Sequence, residues 1–171
     1  MVRNFCENPH MTRLFILPVL LLTLLLGTPA VAADHSKGLD AYKRGDFATA
    51  LREWRPLAER GHARSQVNLG WMYYLGQGVT KDYKTAVKWD RLAAEQKNAR
   101  AQNYLGIMYY RGEGVIRDYV LAHMWWNIAA SQGVEEAKKN RAIVEKTMTP
   151  ADISNAQKLA RECVKKKYEG C

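Results

Sequence analysis

The sequence predicts an all-α chain, an α-solenoid of about four antiparallel helix pairs, on three observations. Laying residues 63–98 over 99–134 gives 18 identities in 36 positions, so the chain repeats with a period typical of stacked supersecondary units. Each period holds two runs of apolar residues at helical spacing, separated by a Gly-x-Gly-Val segment that breaks a helix. The last segment carries Lys158, Arg161, Lys165, Lys166 and Lys167, the charged exterior that an end unit turns to water.

The first 33 residues read as an address. Arg13 precedes residues 14–26, which are apolar apart from Thr23, and Gly27, Thr28, Pro29 and a run of small residues to Ala33 follow. Thirteen residues of helix rise about 20 Å, short of the ~30 Å hydrocarbon core of a bilayer. The pattern is therefore that of a secretory signal cut after Ala32 or Ala33, with an uncleaved anchor as the alternative. Translation could start at Met1 or at Met11, since Met11 begins a complete signal by itself. The expectation is an exported protein, periplasmic or secreted, with no stable membrane span after cleavage.

Residues 34–62 form a degenerate first unit. Asp46, Ala50, Trp54, Ala58 and Gly61 align with Asp118, Ala122, Trp126, Ala130 and Gly133, and the inter-helix loop has shrunk to Lys43-Arg44-Gly45. Residues 63–98 are the first full repeat, with helices predicted over 63–75 and 83–96. Residues 99–134 are the second, with helices over 99–111 and 119–132. Asp82 and Asp118 are placed to cap the second helix of each. Gly70 and Gly106 lie inside first helices, where glycine costs about 1 kcal/mol relative to alanine. The small residues Ala86 and Ala93 suggest that a close crossing of two backbones offsets that cost. Trp89 and Trp125 occupy the structural tryptophan position, and truncating either is expected to unfold the array. Lys97 stands where Gly61 and Gly133 close their units. Residues 135–171 are read as a capping helix pair with a basic tail: one helix to Lys146, then a second opened by Thr149, Pro150 and Asp152 and running to about Tyr168.

Beyond the signal segment only Cys163 and Cys171 remain. On an unbroken helix they would lie about 12 Å apart, whereas a disulfide needs Cα atoms within about 7 Å. An oxidising compartment favours a bridge, which requires the chain to fold back near residues 167–170. Two unpaired thiols on a frayed end are the alternative. A metal site on these two cysteines lacks nearby histidines.

The pattern Ala-x-x-x-x-x-Leu-Gly-x-x-Tyr-x-x-Gly-x-Gly-Val-x-x-Asp-x-x-x-Ala-x-x-Trp-x-x-x-Ala-Ala, present at 63–98 and 99–134, resembles the Sel1-like repeat, a relative of the tetratricopeptide repeat. The resemblance is strong over 63–134 and weaker over 38–62 and 135–168. It implies a right-handed solenoid that serves as a protein-interaction scaffold and is often exported in bacteria, with a protein or peptide as partner.

Composition fits this class. Hydrophobic residues make up 47% and charged residues 25%, with 12 glycines and 5 prolines, which excludes disordered, collagen-like and proline-rich chains. The net charge is +9, and without the signal segment 24 basic residues face 16 acidic ones. The basic residues are scattered over the repeats, and export argues against nucleic acid as partner. The run Lys165-Lys166-Lys167 leaves attachment to an anionic envelope surface as a second reading.

No nucleophile elbow, zinc-protease motif, P-loop or dinucleotide fingerprint occurs, so no catalytic residue, metal or cofactor is expected. His35, His62 and His123 fall in different units, and His123 reads as packed or half-exposed. A β-lactamase-like hydrolase is the enzymatic alternative, since some cysteine-rich Sel1-like proteins are so described. This chain has neither cysteines in its central repeats nor a Ser-x-x-Lys nucleophile.

The candidate partner-binding residues follow from helix faces. Gln66, Leu69, Gly70 and Tyr73 form the stripe expected at the helix–helix contact. A second stripe, offset to another face, holds Arg64, Val67, Trp71, Tyr74 and Leu75, and its counterpart holds Arg100, Asn103, Ile107, Tyr110 and Arg111. By resemblance to tetratricopeptide arrays this stripe lines the concave face. Arginine and aromatic residues are the types enriched at binding hot spots. Tyr74 and Tyr110 could instead only pack neighbouring repeats. Trp71 is the sharper candidate, because Ile107 at the equivalent position shows that the repeat needs no indole there.

Overall fold

The computed structural model describes residues 33–171. The expected signal segment and the choice of start at Met1 or Met11 lie outside the described residues. These contain eight α-helices and no strand: α1 (His35–Lys43), α2 (Phe47–Glu59), α3 (Ala63–Leu75), α4 (Tyr83–Glu95), α5 (Ala99–Arg111), α6 (Tyr119–Ser131), α7 (Glu135–Glu145) and α8 (Pro150–Lys165). The two full repeats supply α3–α4 and α5–α6 in equivalent positions.

Local chemistry sets the ends. Asp82 Oδ1 accepts from the Lys84 and Thr85 amides, and Asp118 Oδ1 does the same for Val120 and Leu121, so each second helix begins on a side-chain cap. Gly76 and Gly112 close the first helices in the left-handed conformation, at φ 73° in both, which glycine adopts at no steric cost. Thr149 and Asp152 open α8 with a reciprocal capping box.

Packing follows chain order. Each helix from α1 to α6 packs on the next, and α2 and α4 join one unit to the following one. Buried amides brace these joints: Gln66 Nε2 donates to the Ala58 carbonyl and Gln102 Nε2 to that of Ala94, at 3.0 and 3.2 Å. Gln96 Nε2 then donates to Gln66 Oε1 and Gln132 Nε2 to Gln102 Oε1, so one polar clamp recurs 36 residues apart. The core includes Leu69, Met72, Leu105, Met108, Trp125 and Ile128.

The end differs from a regular unit. α7 and α8 both pack on α6 and scarcely touch each other, so they act as two separate covers, not a fourth hairpin. Beyond α8 the chain turns back through Lys167 and Tyr168, both at positive φ, and Gly170, which brings the Cα of Cys171 to 5.7 Å from that of Cys163. That is the span of a disulfide.

Candidate functional site

Three equivalent positions on the second helices, Trp54, Asp90 and Trp126, control how closely each pair packs. Trp126 lies over Gly106 so tightly that a Cβ there would fall 2.5 Å from its Nε1. The same indole donates to the Asn103 carbonyl at 3.2 Å. Trp54 repeats the arrangement over Gly38, with its N–H on the His35 carbonyl at 3.1 Å. The glycine in a first helix is therefore required by an indole. The close approach expected at Ala86 and Ala93 is one of side chain on backbone, because the glycine has no Cβ to hold the indole away. At Gly70 the neighbour is Asp90, whose Oδ1 would lie 3.1 Å from an added Cβ.

Asp90 is buried at 1% exposure, and its Oδ1 meets no hydrogen-bond donor. Burial pushes its carboxyl well above the usual carboxylate range, with the Arg100 charge opposing. Beside it lies a cavity of about 280 Å³, walled by Trp71, Tyr104 and Ile107 and edged by Tyr74, Arg111 and Glu136.

Above this cavity α3 and α5 present an aromatic ladder. The Trp71 ring stacks on Tyr104 at 4.8 Å and on Tyr74 at 5.4 Å, and the Arg100 guanidinium lies 5.5 Å from the centre of the Tyr104 ring. Arg111 Nη1 donates to the Tyr74 hydroxyl, which donates in turn to Glu113 Oε2, each at 2.7 Å. Burial, followed by that bond to Glu113, pushes the Tyr74 phenol up to about 12, so it remains a donor at ordinary pH.

The ten stripe residues separate into groups. Trp71, Tyr74, Ile107 and Arg111 converge on the cavity. Arg64 and Leu75 are exposed and Arg100 flanks Tyr104. Tyr110 packs on Trp126 and Tyr119 of its own repeat, beside a second cavity of about 280 Å³. Val67 and Asn103 are each 2% exposed and cannot be offered to a partner. They sit one helical turn before Trp71 and Ile107, on the edge of the stripe that turns into the core. Asn103 instead donates to Glu136 Oε2 at 3.2 Å, tying α5 to α7. Sequence reasoning missed Tyr104, Asp90 and Glu136. Asp90 was detectable as an aspartate where Trp54 and Trp126 hold the same place.

Other expectations need correction. Trp89 is only half-buried, whereas Trp125 is fully buried, because α7 and α8 cover α6 and nothing equivalent covers Trp89. His35 and His62 are not spread apart: their rings lie 5.0 Å from each other and both meet Ser65 Oγ, since the starts of α1 and α3 are adjacent. His123 is fully buried, with Nε2 at 2.8 Å from Glu145 Oε1. Among the described residues no group of three or more His, Cys, Asp or Glu side chains gathers as a metal site would, and no helix is long and apolar enough to cross a membrane.

Comparison with known proteins agrees with this geometry. The Sel1 repeat family matches residues 63–98 and 99–134. A solved structure of a protective antigen from uropathogenic Escherichia coli strains, displaying an SLR fold, is similar over 77% of this chain and 30% of its own, at 32% identity and a TM-score of 0.72. A Sel1 repeat protein from Oxalobacter formigenes is similar over 65% of this chain and 46% of its own, at 29% identity and a TM-score of 0.62. An uncharacterised protein of Neisseria meningitidis serogroup B is 51% identical over 35 residues, which is 20% of this chain and 8% of the relative. The chain thus spans less than half the length of each of these proteins. With two matched repeats, an all-helical solenoid and structural neighbours of the same kind, the chain is a Sel1-like repeat protein.

Proposed function

We propose that the protein is an exported, non-catalytic interaction module that binds a protein or peptide on the face shared by α3 and α5. The observation that carries this reading is the ladder of Arg100, Tyr104, Trp71 and Tyr74 beside Arg111, a half-exposed run of hot-spot residue types spanning two repeats. A Sel1 repeat fold suggests an interaction scaffold. Export to the periplasm or beyond rests on the signal-like segment at 1–33. The approach of Cys163 to Cys171 adds to it, since a bridge there suits an oxidising compartment.

The test is a set of single substitutions read by calorimetry against a partner recovered from the envelope fraction. Trp71→Ala and Arg111→Ala should each weaken binding by about 1–3 kcal/mol while helicity is retained. Unchanged affinity in both folded variants would remove this face from the reading.

A further inference from the structure

We propose that the cavity beside Asp90 is a receptor for a guanidinium group, an arginine side chain of the bound peptide or protein; this rests on the interaction-module reading and specifies its chemistry.

At the equivalent places Trp54 and Trp126 fill the space above the helix glycine, and each indole N–H satisfies a backbone carbonyl. Asp90 does neither: it is much smaller, and although cavities of about 280 Å³ lie beside both Asp90 and Trp126, only at Asp90 does the side chain place there an acceptor with no donor, at 1% exposure. A buried, unpartnered carboxylate oxygen destabilises a fold unless something arrives to satisfy it. The structure therefore gives up a packing residue at one repeat alone and sets an acceptor in its place.

The surroundings select the group that would arrive. The stacked rings of Trp71 and Tyr104 give the cavity flat faces and Ile107 adds apolar surface, which suit a planar, weakly hydrated cation better than a compact ammonium. Glu136 lies at the edge and supplies a second carboxylate, and the Asp90 carboxyl can accept two parallel N–H bonds from a guanidinium. Arg111, also at the edge, is already engaged with the Tyr74 hydroxyl, and Glu113 lies 3.8 Å away. A guanidinium on an alkyl stem fits within the cavity volume, with its stem passing the aromatic walls.

The probe is N-acetyl-arginine amide, which carries the side chain without terminal charges, titrated against the folded chain lacking residues 1–33 and monitored by the indole N–H resonance of Trp71. The isosteric, uncharged control is N-acetyl-citrulline amide, and N-acetyl-glycine tests for an anion site. The expected result is a saturable shift with the arginine compound at millimolar concentration. The citrulline control should bind at least tenfold more weakly, and Asp90→Asn should lose the arginine response at least tenfold. Asp90→Asn is nearly isosteric, and circular dichroism is used to check that it folds; Glu136→Gln provides a second variant, expected to bind several-fold more weakly.

Four outcomes overturn the proposal: equal binding of the citrulline compound, preferential binding of the carboxylate, an unchanged response in Asp90→Asn, or no saturable shift at all. A protein partner that binds this face and is held equally well by folded Asp90→Asn would overturn the cavity assignment and leave the interaction module standing. A partner that ignores Trp71→Ala and Arg111→Ala would remove this face, and the cavity with it, from the interaction-module reading.

Discussion

The two full repeats, 63–98 and 99–134, share half their residues and the same helix boundaries, yet over the first-helix glycine one sets a hydrogen-bonded indole and the other an unpartnered carboxyl. In the second repeat Trp126 covers Gly106, bonds the Asn103 carbonyl and packs against Tyr110. In the first, Asp90 lies over Gly70, bonds no backbone carbonyl and borders a cavity. Removing an indole from a repeat does not prevent that repeat from forming, because the helix caps, the Gly-x-Gly-Val loops and the glutamine clamps are shared by both. It changes what the repeat has left over for a ligand. The difference between the repeats is thus a division of labour between support and recognition.

The comparison can be broken most severely at Trp126. Trp126→Ala should cost about 3–5 kcal/mol through loss of the large buried indole packed on Gly106 and Tyr110. Asp90→Ala, at the equivalent place, should change stability by less than about 1 kcal/mol, because it removes a small carboxyl whose buried oxygen has no partner. Urea unfolding of both variants reads the contrast directly; equal losses would mean that the two positions are not functionally distinct.

The helix glycines give the next contrast. An alanine Cβ at Gly106 would meet the Trp126 ring at 2.5 Å, so Gly106→Ala should cost about 1–3 kcal/mol of overpacking strain. At Gly70 the nearest atom is the Asp90 carboxylate at 3.1 Å, and a small shift of that side chain into the cavity relieves the contact. Gly70→Ala should therefore be close to neutral in thermal unfolding. A strongly destabilised Gly70→Ala would show that the carboxyl is held over its glycine as rigidly as the indole.

A pH series sharpens the same comparison. Burial raises the Asp90 carboxyl well above its usual range, against the opposing charge of Arg100. The native state then keeps a proton that the unfolded chain has released, so this group's contribution makes stability fall as pH rises from the ordinary aspartate range to the raised native value. The other groups facing it are Arg111 from α5, Glu136 from α7 and Tyr74 from α3. Asp90→Asn lacks this titration, so its stability relative to the parent should increase with pH across that window. A difference that stays flat with pH would mean that Asp90 is ionised throughout.

The smallest effect is expected at the joint between the repeats. Lys97 adopts φ 65°, where Gly61 and Gly133 sit at 90° and 89°. A left-handed non-glycine residue costs about 1 kcal/mol, and Lys97→Gly should recover up to that amount. The gain is reduced by loss of the Lys97 ammonium from above the Tyr168 ring, 5.9 Å away. Thermal unfolding checks the sign. A loss of stability would show that the contact with Tyr168 outweighs the backbone strain.

Most of the fold was legible because its determinants are local and repeated. The 36-residue period, the capping aspartates at 82 and 118, the Thr149 capping box and the helix-breaking glycines each act within a few residues, so reading along the chain finds them. The candidate site was legible only in part. Trp71, Tyr74, Ile107 and Arg111 share a helical stripe and do converge, whereas Val67 and Asn103 share it and are buried. Helical periodicity assigns a residue to a direction, and only the neighbouring helices decide whether that direction leads into the core. Trp89 and Trp125 make the same point, since identical positions differ in burial according to what covers them.

The sequence by itself determined the class of molecule: stacked helix pairs with defined ends, joined by loops whose glycines and aspartates act on their own backbone. Tertiary structure alone decided that Asp90 lies over Gly70, that Trp71 stacks between Tyr74 and Tyr104, and that His35 meets His62. Apart from Trp71 on Tyr74, which share α3, these are contacts between residues distant along the chain. Their energies depend on distances of a few ångströms and on exclusion of water, quantities that exist only once the helices have packed. A substitution such as tryptophan to aspartate is visible in the repeat, but whether it makes a flaw or a receptor depends on the walls that other helices build around it.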